Sequence, residues 1–187
     1  MEQTRAAHAI AIPGERHSVV LQAVWIVTFA ALTAVGAQIE IPHVPVPYTL
    51  QTLFVLLAGA LLGRRNGAVS QLLYLLGGAL GLPIFSHAGF GIAKLIGPTG
   101  GYLLSFPVAA FAVGTLIRQN SGIVWSVVSM ATGLFIIFSL GTLQLYLVYL
   151  HNWSEAFAGG FLIFSWWDAL KLVVAAAAYQ QFSKRFR

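Results

Sequence analysis

Long apolar runs constrain what this chain can fold into more than any other feature of its sequence. Residues 19–38 form the first run, which has 20 residues and no charged side chain. A helix of that length is about 30 Å long and can cross the hydrocarbon core of a bilayer. Further runs follow at residues 48–62, 67–85, 100–117, 122–150 and 156–182. They predict an all-α integral membrane protein with six transmembrane helices, in a single transmembrane domain over residues 1–187.

Charged residues are scarce and unevenly placed. They make up 8% of the chain, against roughly 25% in soluble domains. Most basic residues lie before the first run or after every second run, in the order Arg5, Arg16, Arg64, Arg65, Arg118, Lys184, Arg185 and Arg187. Because cytoplasmic loops are enriched in Lys and Arg, both termini are predicted to be cytoplasmic. The basic residues form no dense patch, so we expect membrane lipid around the chain and no nucleic-acid partner.

The last apolar run contains two charged residues, Asp168 and Lys171. Their spacing places them on one face of a helix, about one turn apart, and Phe164 is predicted to share that face. One hypothesis is a salt bridge that fixes the packing of this helix, because charged groups inside membrane proteins usually pair. The other is a pocket for a small ligand, in which the lysine meets a carboxylate and the aspartate accepts hydrogen bonds from N–H groups.

Motifs for other chemistry are absent from the sequence. The five histidines show no metal-ligand spacing, and cysteine does not occur. The segment GPTGG at residues 97–101 lacks the Lys-Ser/Thr pair of a phosphate-binding loop. We therefore expect no enzymatic activity, no cofactor bound by this chain and no ATP hydrolysis by this chain alone.

Two further features leave alternatives open. The glycine-rich segment FSHAGFGIAKLIGPTGGY, residues 85–102, is either a lid over the outer end of the helices or a purely structural cap. Ala30 and Ala34 form a small-residue face on the first helix, which suits close packing either inside the chain or against a partner subunit. Lys94, in the same glycine-rich segment, either attracts an anionic ligand or stays solvated.

Four segments occur in a familiar order: PVPYTLQTLFVLLAGALLG, LLYLLGGALGLPIF, IGPTGGYLLSFPVAAF and WDALKLVVAAA. In these segments the chain resembles the BioY family, the biotin-specific substrate-binding S components of energy-coupling factor (ECF) transporters. The resemblance implies the six-helix S-component fold and high-affinity biotin binding from outside the cell. It also implies a multi-pass protein in the inner membrane of a bacterium or archaeon, associated with a transmembrane T component and two ATPase subunits that use ATP.

The resemblance also implies roles for individual residues. Together with the shared face in the last helix, it gives one set of expected ligand-binding residues: Asp168, Lys171, Gln51, His87, Thr99, Gly100, Tyr102 and Phe164. Ala30 and Ala34 resemble the face by which S components dock on the T component. Biotin has ureido N–H groups that suit the aspartate and a carboxylate that suits the lysine, and which end meets which residue is left open.

Three rival functions remain at this point. The first is a solitary biotin facilitator or secondary transporter that works without the ATPase module. The second is an S component for another vitamin, such as thiamine or riboflavin. The third is a membrane enzyme, which is disfavoured because one carboxylate and one lysine lack a recognisable nucleophile or metal partner.

Overall fold

The computed structural model describes residues 19–119, 122–162 and 166–185. Its helices and strands follow in the order α1 (Val19–Gln38), β1 (Glu40–Ile41), β2 (Tyr48–Thr49), α2 (Gln51–Ala79), α3 (Ile92–Ile96), α4 (Gly100–Leu116), α5 (Ile123–Gln144), α6 (Trp153–Ala156) and α7 (Trp166–Arg185). Short 3₁₀ turns lie at Ser86–Ala88 and Ile117–Gln119, and π-helical segments at Leu145–Leu150 and Phe157–Phe161. The prediction of a mostly helical chain is confirmed.

Three helical stretches in the described ranges are apolar and long enough to cross a membrane. They are Val19–Gln38, Gly100–Gln119 and Ile123–Leu150. Length and composition therefore support a membrane protein with several crossing helices. Six crossings and cytoplasmic termini remain predictions.

α2 is a helical hairpin and not one straight rod. Gly63 has φ 77° and ψ 176°, outside the helical region, and glycine adopts such a positive φ without a steric penalty. Gln51 Nε2 lies 2.6 Å from the hydroxyl of Tyr74, 23 residues further along, whereas that length of straight helix would span about 34 Å. Arg64 and Arg65 follow the break and are exposed. The two arms of α2 thus correspond to the second and third apolar runs.

The arms of α2 pack closely on each other and on α4 through small residues. A β-carbon at Gly59 would lie 3.0 Å from Cα of Ala110, and one at Gly67 would lie 2.9 Å from Cα of Gly59. Such short distances mean that the backbones touch, which only glycine permits. The buried core continues from this contact into α1, α5 and α7.

Ala30 and Ala34 face the interior of the chain. Ala30 is 8% exposed and belongs to the main buried core, against which the partly buried Ala34 also packs. The exposed positions of α1 are others, among them Val24, Val27 and Val35. Internal packing uses their small size in this conformation, and a docking role of Ala30 and Ala34 stays a prediction.

The structure describes the last apolar run in two parts. α6 and the π-helical segment after it end at the turn of Leu162, and the described helix α7 begins at Trp166. Gly159 and Gly160 lie in the π-helical segment, where their low helix propensity weakens a regular helix. The predicted span over residues 156–182 stays a prediction. Phe164 lies outside the described residues.

A short hairpin and the glycine-rich segment lie together at one end of the helices, here called the hairpin end. β1 and β2 are antiparallel, with Glu40 opposite Thr49, and they close the proline-rich residues 42–47. The glycine-rich segment is held on both sides by glutamines of neighbouring helices. Gln38 Nε2 donates to the carbonyl of Phe85 at 3.0 Å, and Gln144 Nε2 donates to the carbonyl of Leu95 at 2.9 Å.

Candidate ligand-binding site

Asp168 and Lys171 meet on α7, as their spacing predicts. Lys171 Nζ lies 2.5 Å from Asp168 Oδ1, and the two residues are only 2% and 4% exposed. Leaving either charge alone at such a buried site would cost about 3–5 kcal/mol. The pairing therefore makes the burial of both groups tolerable.

The ammonium group of Lys171 is fully engaged. It donates to the backbone carbonyl of Thr49 at 2.9 Å and to Oγ1 of Thr52 at 2.7 Å, besides Asp168. A lysine has three N–H donors, so each has an oxygen within reach. Because Thr49 and Thr52 lie 122 and 119 residues before the lysine, these bonds tie α7 to β2 and the first turn of α2.

The pair lines a cavity at the hairpin end, here called the inner cavity. Its volume is only about 50 Å³. That is room for a few waters, so a larger ligand requires the lining to move apart. The lining residues are Val46, Pro47, Tyr48, Thr49, Gln51, Thr52, Ser86, Thr99, Tyr102, Leu103, Phe106, Ile137, Phe138, Asp168 and Lys171.

The inner cavity has one polar and one apolar wall. The polar wall consists of the ion pair with the hydroxyl and amide groups of β2 and the start of α2. The apolar wall is provided by α4 and α5, where Tyr102 and Phe138 pack edge to face with ring centroids 6.2 Å apart. Such a combination suits a small ligand that has an apolar body and a polar, hydrogen-bonding end.

Gln51 lines the inner cavity, but its side-chain amide is already bonded. Its Nε2 donates to the hydroxyl of Tyr74 at 2.6 Å, and its Oε1 accepts from Oγ1 of Thr49 at 2.9 Å. The Tyr74 hydroxyl in turn donates to the carbonyl of Ile84 at 3.3 Å. These bonds hold the polar wall in place, because Gln51 links the two arms of the α2 hairpin.

Thr99 and Tyr102 enter the lining from the GPTGGY segment and the first turn of α4. The hydroxyl of Tyr102 donates to the carbonyl of Gly160 at 3.0 Å, which joins α4 to the π-helical segment before α7. Tyr102 is 6% exposed, so its ring is a fixed part of the wall. The structure thus brings Thr99 and Tyr102 together with the ion pair.

Gly100 belongs to the same segment but does not line the inner cavity. A β-carbon at this position would lie 2.5 Å from the carbonyl carbon of Leu95. Glycine is therefore required here because α3 and its following turn press on the start of α4. Gly100 supports the site through close packing, and no ligand contact follows from its position.

His87 lies at the hairpin end but outside the inner cavity. Its side chain is 56% exposed, and Nδ1 lies 3.1 Å from Oε1 of Glu40. The neighbouring Ser86 is 6% exposed and lines the inner cavity instead. The 3₁₀ turn at Ser86–Ala88 thus directs the serine inward and the histidine outward. Of the expected ligand-binding residues, five line the inner cavity: Gln51, Thr99, Tyr102, Asp168 and Lys171.

Sequence reasoning missed several residues of the lining. Thr49, Thr52 and Ser86 were not among the expected ligand-binding residues, because isolated hydroxyl residues give no signal that distinguishes a site from a turn. Phe106 and Phe138 belong to apolar runs whose inward faces cannot be separated from lipid-facing ones by composition. The two threonines could have been found from the TLQT segment, residues 49–52, because they flank the expected ligand-binding residue Gln51.

Comparison with known proteins gives one consistent family. The sequence matches the BioY family over residues 6–187. It is 45% identical over 148 residues to a biotin transporter BioY of Thermotoga maritima, covering 79% of this chain and 87% of that protein. It is 41% identical over 175 residues to a probable biotin transporter BioY of Lysinibacillus sphaericus, covering 89% of both.

The fold has a solved counterpart. The crystal structure of the S-component for biotin from an ECF-type ABC transporter superposes with a TM-score of 0.81 and 21% sequence identity. The superposition covers 88% of this chain and 92% of that one, so the predicted S-component fold is confirmed. Because the family match spans almost the whole sequence and the relatives align over most of their length, the chain belongs to the BioY family.

Proposed function

We propose that this chain binds biotin in the inner cavity and imports it as the S component of an ECF transporter. The relatives described above are named as biotin transporters, and the fold is that of an S component. The observation that carries the proposal is that the buried Asp168–Lys171 pair lines a cavity. Transport, and not catalysis, is the function of the family.

The chemistry of biotin fits the two walls of the inner cavity. Its ureido ring has two N–H donors, its fused ring body is apolar, and its valerate chain ends in a carboxylate. Lys171 already donates to three protein oxygens, whereas a carboxylate such as that of Asp168 accepts about four hydrogen bonds. We therefore place the ureido N–H groups at Asp168 and the ring body against Tyr102 and Phe138.

Binding requires the inner cavity to widen. Four lining residues come from loops at the hairpin end and not from the long helices: Val46, Pro47, Ser86 and Thr99. Loops carry fewer packing contacts than helices and open at lower free energy. We infer that ligand binding displaces residues 42–47 and 86–99 while α2, α4 and α7 keep their positions.

Transport requires energy from partners. The sequence has no phosphate-binding loop, so ATP hydrolysis is assigned to two ATPase subunits coupled through a T component in the cell membrane. Biotin would cross when the S component changes its orientation against the T component. A solitary facilitator with the same inner cavity is the alternative.

Uptake of labelled biotin distinguishes these functions. The chain is expressed in a host without its own biotin transporter, either alone or with the T component and ATPases of an ECF transporter. A matched control carries ATPases that bind but cannot hydrolyse ATP. We expect concentrative uptake only with the active ATPases. Equal uptake by the chain alone would instead establish a solitary facilitator.

A further inference from the structure

A second depression, here called the loop pocket, adjoins the inner cavity at the hairpin end. It is lined by His43, Pro45, Pro47, Ser86, His87, Phe90, Ala93, Lys94, Gly97, Pro98 and Thr99. Three of these residues, Pro47, Ser86 and Thr99, also line the inner cavity. The loop pocket is roomier, with a volume of about 490 Å³ against about 50 Å³ for the inner cavity. A ligand that moves from solvent to the inner cavity between these shared residues passes through the loop pocket.

The loop pocket is lined by one permanently charged side chain. Lys94 is the only Lys, Arg, Asp or Glu among its described lining residues. It is half-buried and forms no ion pair with any residue in the described ranges. Glu40 lies behind His87, with Oε1 3.1 Å from Nδ1 of His87 and a side chain that is only 14% exposed. The charge that meets a ligand in the loop pocket is therefore the ammonium group of Lys94.

The ammonium group of Lys94 lies close to the turn at residues 85–89. A β-carbon at Gly89 would lie 3.1 Å from Lys94 Nζ, so the side chain folds back from α3 over that turn. The turn is fixed by paired backbone hydrogen bonds of 3.0 and 3.2 Å between Phe85 and Gly89. In the structure the ammonium group therefore lies over this turn, at the edge of the loop pocket.

We propose that the loop pocket is a transient anion-binding site that captures the carboxylate of the ligand through Lys94 before the ligand enters the inner cavity. The inference rests on the proposed function, because it takes biotin as the ligand. It also agrees with the placement of the ureido ring at Asp168, which leaves the carboxylate to trail toward the loop pocket. Lys94 raises the association rate of the ligand, and Asp168 and Lys171 lower its dissociation rate.

The expected effect is on the rate of association. In water, a single positive charge raises the local concentration of a monovalent anion about 5 Å away by about fourfold. Salt removes this attraction, since the Debye length falls from about 30 Å at 0.01 M to about 3 Å at 1 M. Lys94→Gln should therefore lower the association rate of biotin about fourfold at 0.01 M salt and have no effect at 1 M.

The experiment measures association and dissociation rates of biotin and of uncharged biotin amide with the purified full chain. Arg65→Gln is the matched control, because it removes the same charge from the exposed turn of α2. That turn is separated from Gln51 and the inner cavity by the 12-residue first arm of α2, which is about 18 Å long. We expect only Lys94→Gln to slow biotin association, with biotin amide unaffected and dissociation rates within twofold.

Several outcomes would overturn the inference. Equal association rates for Lys94→Gln and Arg65→Gln would remove the capture role while leaving biotin binding established. A large increase in the dissociation rate would show that Lys94 contacts the fully bound ligand, contrary to transient capture. If the unchanged chain binds no biotin, both this inference and the proposed function fail.

Discussion

The charge of Asp168 can be tested by replacing it with the amide of the same shape. In Asp168→Asn the side-chain Oδ1 can still accept a hydrogen bond from Lys171, which lies 2.5 Å from it in the structure. What is lost is the negative charge and its ability to accept hydrogen bonds through both oxygens. If biotin donates its ureido N–H groups to this carboxylate, affinity must fall.

The magnitude follows from the contact that is weakened. A hydrogen bond to a charged group contributes about 1.5–3 kcal/mol, and 1.4 kcal/mol corresponds to a factor of ten. We therefore expect Asp168→Asn to weaken biotin binding about 10- to 150-fold. The variant also loses stability, but by less than the roughly 3–5 kcal/mol of a broken buried pair, because Thr49 and Thr52 still accept from Lys171.

The assay combines equilibrium binding of labelled biotin with thermal unfolding in the same detergent. Thr33→Val is the matched control, because it removes a buried hydrogen bond of 3.2 Å between Thr33 and Gln71. Neither residue lines the inner cavity. We expect the control to unfold at a lower temperature with unchanged affinity. A second variant, Asp168→Asn with Lys171→Met, should regain stability, since replacing a whole buried pair is often neutral, and should still bind biotin weakly.

The result that would refute this reasoning is a folded Asp168→Asn variant with the affinity of the unchanged chain. The reasoning would also be refuted if the double variant regained both its stability and its biotin affinity. Either finding would make the pair a structural salt bridge that fixes α7 against α2.

Two further predictions concern the packing of the glycine-rich segment. Gln144→Leu removes the hydrogen bonds of 2.9 and 3.1 Å to the carbonyls of Leu95 and Gly97. If these bonds stabilise the position of Thr99 by about 1 kcal/mol, the variant should release biotin about fivefold faster in a chase experiment. An unchanged dissociation rate would contradict this positioning role. Gly100→Ala forces a β-carbon against Leu95 and should lower the free energy of unfolding by about 1–3 kcal/mol. Thermal unfolding measures this loss, and an unchanged unfolding temperature would show that α3 can move away.

Much of the architecture follows from local sequence signals. Apolar runs predict helices directly, and the arginines after Leu62 correctly separate the two arms of α2. The exact break could not be predicted, because Gly63 packs against Gly114 of α4, and no local pattern reports a contact so distant in sequence. The inward direction of Ala30 was equally hidden, since a small-residue face suits internal and external partners alike.

The site was predictable only where residues are close in sequence. Asp168 and Lys171 are one helical turn apart, so their meeting follows from helix geometry. The acceptors Thr49 and Thr52 are more than a hundred residues away, and no local pattern reports such a contact. The choice between Ser86 and His87 depends on the direction of one 3₁₀ turn, which the sequence does not specify.

Equilibrium binding of labelled biotin to the purified, detergent-solubilised chain alone tests the central claim most directly. Thiamine and riboflavin in excess serve as competitors, and thermal unfolding confirms that the chain is folded. The account predicts saturable biotin binding that neither competitor displaces. Absence of biotin binding by a folded chain, or displacement of biotin by either other vitamin, would contradict it.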